Sequence, residues 1–126
     1  MKNIVIWGTG HKGLRLIHFL KKDSVHVLAY TDNACIAPVK MENGYMCFPK
    51  FDALELPFDY IVIASDYYID ITSQLMGYGI NEKKIIQLYN YHYLFPDVLF
   101  FFNLVDPYDE KKEIFTSLDL ITCERM

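Results

Sequence analysis

The stretch IVIWGTGHKGLRLI, residues 4–17, constrains the fold more than any other part of the chain. Ile4, Val5, Ile6 and Trp7 form an unbroken apolar run instead of an alternating one, which is how a strand covered on both faces by helices reads. Gly8-Thr9-Gly10-His11-Lys12-Gly13 follows directly, and after it Leu16, Ile17 and Leu20 fall at helical spacing with Gly13 while Lys12, Arg15 and Lys22 gather on another side. This predicts an amphipathic helix of about three turns, ending near Lys22-Asp23. A buried strand turning into a helix through a glycine-rich loop is the opening of an α/β domain.

The rest of the first ninety residues repeats that alternation. VHVLAY, residues 25–30, reads as a second strand, and Thr31-Asp32-Asn33 follows with turn chemistry. Residues 33–48 are less periodic, with Pro38 and the turn ENGY before a short third strand over Tyr45–Phe48. Pro49 is pre-set to open a short helix running to Leu54. FDYIVIAS, residues 58–65, is another continuous apolar strand; Tyr68, Ile71, Leu75 and Tyr78 then repeat at helical spacing until Gly77 and Gly79 supply a stop. Asp66 is placed to cap that helix, and Tyr68 belongs to its buried stripe. KIIQL, residues 84–88, completes the strands. With right-handed consecutive crossovers, the expected architecture is an open parallel sheet in the order 3-2-1-4-5 with helices on both faces.

The chain has 126 residues, 52% of them hydrophobic and 16% aromatic, enough for one core of ordinary size. The expected division is a domain over residues 1–90 and a helical, aromatic-rich extension over residues 91–126 that packs on the domain or on a partner subunit. Phe100-Phe101-Phe102 is read as core, with a dimerisation patch as the alternative. A net charge of −4 with scattered Lys and Arg argues against nucleic acid as a partner. No apolar run is long enough to span a bilayer. Met1-Lys2-Asn3 passes into a short apolar run without a signal peptide's features, and Cys35, Cys47 and Cys123 form no CxxC pair, so the expectation is a reduced, cytoplasmic protein with no metal site. His18, His26 and His92 lack metal-ligand spacing.

Three glycines at this spacing have separate tasks in a phosphate-binding turn. The first permits the tight turn, the second lets the backbone approach a pyrophosphate, and the third allows close packing of helix on strand. Asp32, at the end of the second strand, stands at about the spacing of a carboxylate that receives ribose hydroxyls and repels a 2′-phosphate, which favours NAD over NADP. The alternative is that Asp32-Asn33 is an Asx turn and the glycines serve packing alone. The candidate cofactor-binding residues are therefore Gly8, Thr9, Gly10, His11, Lys12, Gly13, Asp32, Asn33 and Ser65, the last at the carboxyl edge of the FDYIVIAS strand within reach of a ribose or base.

IVIWGTGHKGLRLI, AYTDN, NGYMCFPKFDAL and FDYIVIAS together resemble the Rossmann-like nucleotide-binding domain attached to bacterial sugar-modifying enzymes of surface-polysaccharide synthesis. The resemblance covers roughly residues 2–90. It implies a nucleotide ligand, either NAD or, as in the acetyltransferases of that group, a UDP-sugar. The chemistry is expected to need a partner domain or subunit, with a sugar-modifying partner enzyme or a homo-oligomer as the expected partner. The left-handed β-helix of those acetyltransferases is missing from the sequence. Tyr108 and Lys112 have the Tyr-x-x-x-Lys spacing of short-chain dehydrogenases but follow Pro107 in a charged segment, and they are read as coincidence. No catalytic set is assigned, and a non-catalytic assembly module that keeps the fold is the alternative function.

Overall fold

A computed structural model describes residues 2–17, 20 and 25–87. These residues form an α/β unit. In chain order the elements are β1 (Lys2–Trp7), α1 (His11–Leu16), β2 (Val25–Thr31), β3 (Val39–Lys40), β4 (Met46–Cys47), α2 (Lys50–Ala53), β5 (Tyr60–Ile63), α3 (Tyr68–Gly77) and β6 (Ile85–Gln87). The strands make one six-stranded sheet in the order β3-β4-β2-β1-β5-β6.

The sheet is mixed, which corrects the expectation of a wholly parallel one. β1 pairs in parallel with β2 and β5, β2 with β4, and β5 with β6, but β3 runs antiparallel to β4. The cause is local: Met41 and Gly44 close the ENGY turn through Met41 N–H to Tyr45 O and Gly44 N–H to Met41 O, folding the residues after Pro38 back as a hairpin. What was expected to be irregular chain before the third strand therefore supplies an additional edge strand.

The apolar run of β1 is divided between two cores. Ile4 and Ile6 face Leu16, Ile17 and Leu20 of the α1 side, together with Val25, Val27, Tyr30 and Val62. Val5 and Trp7 face Ala53 of α2 and Ile71 and Leu75 of α3, with Ile61, Ile63 and Ile85. All of these β1 side chains are essentially solvent-free, as a central strand covered by helices on both faces requires.

One irregularity in β2 decides which side chains reach the glycine loop. The register runs Ile4 to Val27 and then Val5 to Ala29, so Leu28 is an extra residue. This bulge shifts the alternation by one position. Val25 and Val27 before it, and Tyr30 after it, consequently share the α1 face. Leu28 itself packs toward the α3 side.

Some helix limits differ from expectation. α1 is described over His11–Leu16, and its expected end near Lys22-Asp23 lies outside the described residues. α3 ends at Gly77, where the Gly79 and Ile80 amides return to the Met76 and Leu75 carbonyls at 3.0 and 3.1 Å. Tyr78, expected in the buried stripe, is exposed because it lies past that end, and its ring stands edge-on to Phe51 at 5.1 Å. Among the described residues no helix is long and apolar enough to cross a membrane. The expectations for His18, His92, Phe100-Phe101-Phe102, Tyr108, Lys112, Cys123 and the extension over residues 91–126 lie outside the described residues.

Candidate functional site

The carboxyl ends of β1, β2 and β5 open into a cavity of about 710 Å³. Its wall includes Gly8, Thr9, Gly10, His11 and Lys12 from the glycine loop, Asp32 and Asn33 from the end of β2, and Ser65 after β5. Gly13 is the one expected residue absent from that wall; it is buried behind the loop.

The three glycines are there for different reasons. Gly8 has φ +131°, a conformation that side chains oppose, and a Cβ there would stand 2.5 Å from the Ala64 carbonyl oxygen. Its amide donates to Thr31 O at 2.9 Å, so the loop leaves β1 pinned to β2. A Cβ on Gly13 would overlap the Gly8 carbonyl oxygen outright and press on the Tyr30 ring. Tyr30 completes this contact by donating its hydroxyl to Gly13 O at 2.9 Å. Gly10 has neither constraint: its φ is −84° and nothing lies within 4 Å of the position its Cβ would take. Fold and packing thus account for Gly8 and Gly13, while the space over Gly10 belongs to the cavity.

Asp32 holds the β2 end of the site in an Asx turn. Its Oδ1 accepts from the amides of Ala34 and Cys35 at 3.0 and 2.9 Å, and its Oδ2 accepts from the Thr9 hydroxyl at 2.6 Å. The turn therefore aims the second carboxylate oxygen at the glycine loop. An ionised carboxylate has about four acceptor positions, so one more donor can be received.

Across the cavity Lys12 Nζ pairs with Asp66 Oδ1 at 2.8 Å. This corrects the expectation that Asp66 caps α3. The N-cap position is Tyr67, without a side-chain cap bond, and the Tyr67 amide donates to Ser65 Oγ at 3.1 Å. Ser65 supplies the local turn, and the Asp66 carboxylate takes the longer, charge-assisted partner. Both groups of the ion pair are solvent-exposed, so a ligand anion can take Lys12 from Asp66 at little cost. Replacing Lys12 with Met is expected to change the urea-unfolding free energy by less than about 1 kcal/mol; a larger loss would mean that the ion pair holds the fold.

Sequence reasoning missed the α3 wall of the cavity. Asp70, Ile71 and Gln74 line it, and Gln74 pairs reciprocally with Asn33, Nε2 to Oδ1 at 2.7 Å and Nδ2 to Oε1 at 3.0 Å. Lys50 Nζ also donates to Asn33 Oδ1 at 3.0 Å, which sets the amide's orientation. The available signal was spacing: Tyr67, Asp70 and Gln74 stand one helical turn apart on the segment that follows the second continuous apolar strand.

A family model described as C2185-like, N-terminal, matches residues 1–86, a stretch that contains the whole cavity wall. No curated protein matches the sequence.

Proposed function

We propose that this chain, which belongs to the family described as C2185-like, N-terminal, binds a nucleotide bearing a pyrophosphate, either NAD or a nucleotide-sugar. The observation that carries this reading is Gly10: neither backbone conformation nor packing requires glycine there, and the missing side chain leaves room for a ligand beside the loop. In this reading the Gly8-Thr9-Gly10 backbone meets the pyrophosphate, with Lys12 exchanging Asp66 for a phosphate oxygen. Asp32 receives a ribose hydroxyl in the acceptor position its turn leaves over, and its charge opposes a 2′-phosphate. Asn33, Ser65 and Gln74 line the remaining wall.

A cavity of about 710 Å³ is within the size range of cofactor sites. The strand order β4-β2-β1-β5-β6 supports reading the core as Rossmann-like, with the cavity at the point where the order reverses. We further propose a role in bacterial surface-polysaccharide metabolism, in which a partner domain or subunit, such as a sugar-modifying partner enzyme, supplies the chemistry.

The test is calorimetric titration with NAD, NADP, UDP-sugars and coenzyme A, repeated on Asp32→Asn and Gly10→Trp. Saturable binding of one ligand class is expected. Asp32→Asn, which keeps an acceptor for the Asx turn but loses the charge, should weaken it by about tenfold or more. Undiminished binding by Gly10→Trp would refute the loop's assigned role. The second reading, an assembly module that keeps the fold without a ligand, draws on the partners Asp32 already has in Thr9, Ala34 and Cys35. Silence across the whole panel from folded protein would overturn the first reading and favour this one.

A further inference from the structure

We propose that Cys35 and Cys47 are a reversible dithiol–disulfide pair, a redox modification site in the wall of a second, smaller cavity beside Asp32. The inference stands apart from the nucleotide reading, because it concerns different side chains and a different reaction.

In the sequence the two cysteines belong to no motif, yet the hairpin of β3 and β4 brings them together. Cys47 is buried in the α1-side core, and Cys35, in the loop after the Asp32 turn, is half-buried against that same cluster. The Cys35 thiol lies 3.2 Å from the Ala37 carbonyl oxygen and 3.6 Å from the carbonyl oxygen of Cys47 itself. With the Cys35 sulfur already against the Cys47 backbone, the disulfide requires side-chain rotation and loop movement that bring the two sulfurs to about 2.0 Å. The neighbouring cavity, about 360 Å³, is lined by both cysteines and by Ile36, Val39 and Met41, and it gives a small oxidant access to the pair.

The two thiols are unequal, which sets the order of events. Burial, then the Cys35 contact and the nearby Asp32 charge, push the Cys47 thiol up to about 12. Cys35 is the more accessible thiol and reacts first. Its thiolate attacks one sulfur of a small disulfide such as glutathione disulfide, forming a mixed disulfide and releasing one glutathione thiolate. Cys47 then loses its proton, attacks the Cys35 sulfur and expels the second glutathione. Two protein thiols are oxidised to one disulfide, and one glutathione disulfide is reduced to two thiols. The resulting bond ties to β4 the loop whose amides hold Asp32 Oδ1, at the edge the two cavities share along Thr9, Asp32 and Ala34.

The experiment uses the full chain with Cys123→Ser, so that only this pair titrates. Folded protein is equilibrated with mixtures of reduced and oxidised glutathione, quenched in acid, alkylated, and read by intact mass and peptide mapping. The expected result is loss of both thiols with no glutathione retained, a crosslinked peptide pair containing Cys35 and Cys47, and full reversal by dithiothreitol. Cys35→Ser should slow loss of the remaining thiol by about tenfold or more, and Cys47→Ala should trap glutathione on Cys35. Two alkylatable thiols at every ratio, glutathione retained on Cys35 while Cys47 is present, or disulfides between chains would each overturn the proposal. Cys35 is only half-buried, so the Cys35→Ser arm decides the matter even where the buried replacement at Cys47 prevents folding.

Discussion

Gly13→Ala is expected to cost roughly 3 kcal/mol or more, enough to leave a chain of this size barely folded at room temperature. The added methyl would occupy the place of the Gly8 carbonyl oxygen, which is backbone and cannot swing aside, and the Tyr30 ring closes the other side. Relief requires α1 to withdraw from β1 and β2, which breaks the Tyr30 bond to Gly13 O. Gly8→Ala should cost a comparable amount, through a conformation that side chains oppose and a 2.5 Å approach to Ala64 O. Gly10→Ala should be nearly neutral, since its Cβ meets nothing. Urea denaturation followed by circular dichroism separates the three. Equal midpoints for Gly13→Ala and Gly10→Ala would refute the division between packing glycines and the cavity glycine.

The second large effect is alkaline unfolding. Tyr30 is fully buried, and desolvation is the main reason its phenol is raised from 10.0 to about 12, partly offset by the hydrogen bond from Asn43. The folded chain therefore holds this proton more tightly than the unfolded chain does. Its contribution is complete below pH 10 and is lost as the pH rises through about 12. At ~1.4 kcal/mol per pH unit the loss amounts to about 3 kcal/mol. Cys47, raised in the same direction and also to about 12, steepens the decline from about pH 9 upward. Tyr30→Phe should begin about 1–2 kcal/mol less stable, because Gly13 O loses its donor, but should show a shallower alkaline limb. Chemical denaturation at stepped pH measures both. An identical slope in the variant would mean that Tyr30 does not titrate with unfolding.

What the sequence makes legible is what local pattern determines. The apolar run Ile4–Trp7 cannot alternate, so it must be covered on both faces, and the glycine loop after it has to turn toward a helix. Asp32 is recognisable because a carboxylate ending a strand has few local alternatives, although sequence leaves the ribose and Asx-turn readings side by side. The missed features depend on residues far apart or on shifts of phase. VHVLAY read by simple alternation puts Val25, Val27 and Ala29 on one face; the bulge at Leu28 replaces Ala29 with Tyr30 there, and no composition signal marks it. Lys12 with Asp66 and Asn33 with Gln74 are pairings across the cavity, created only when β5 and α3 come beside β1 and β2. Pro38 and ENGY were visible as punctuation, but whether a turn leads into a hairpin depends on the strand receiving it.

The small hairpin also bears on what the sheet can join. A free ladder of amides and carbonyls along β4 would invite any extended peptide to add itself as another strand. β3 occupies that ladder with a strand of two residues, both exposed, and Lys40 would have to surrender its hydration for a further strand to approach. Among the described residues the sheet ends on this side in β3, a strand whose shortness and exposed lysine make it a poor template for a further one.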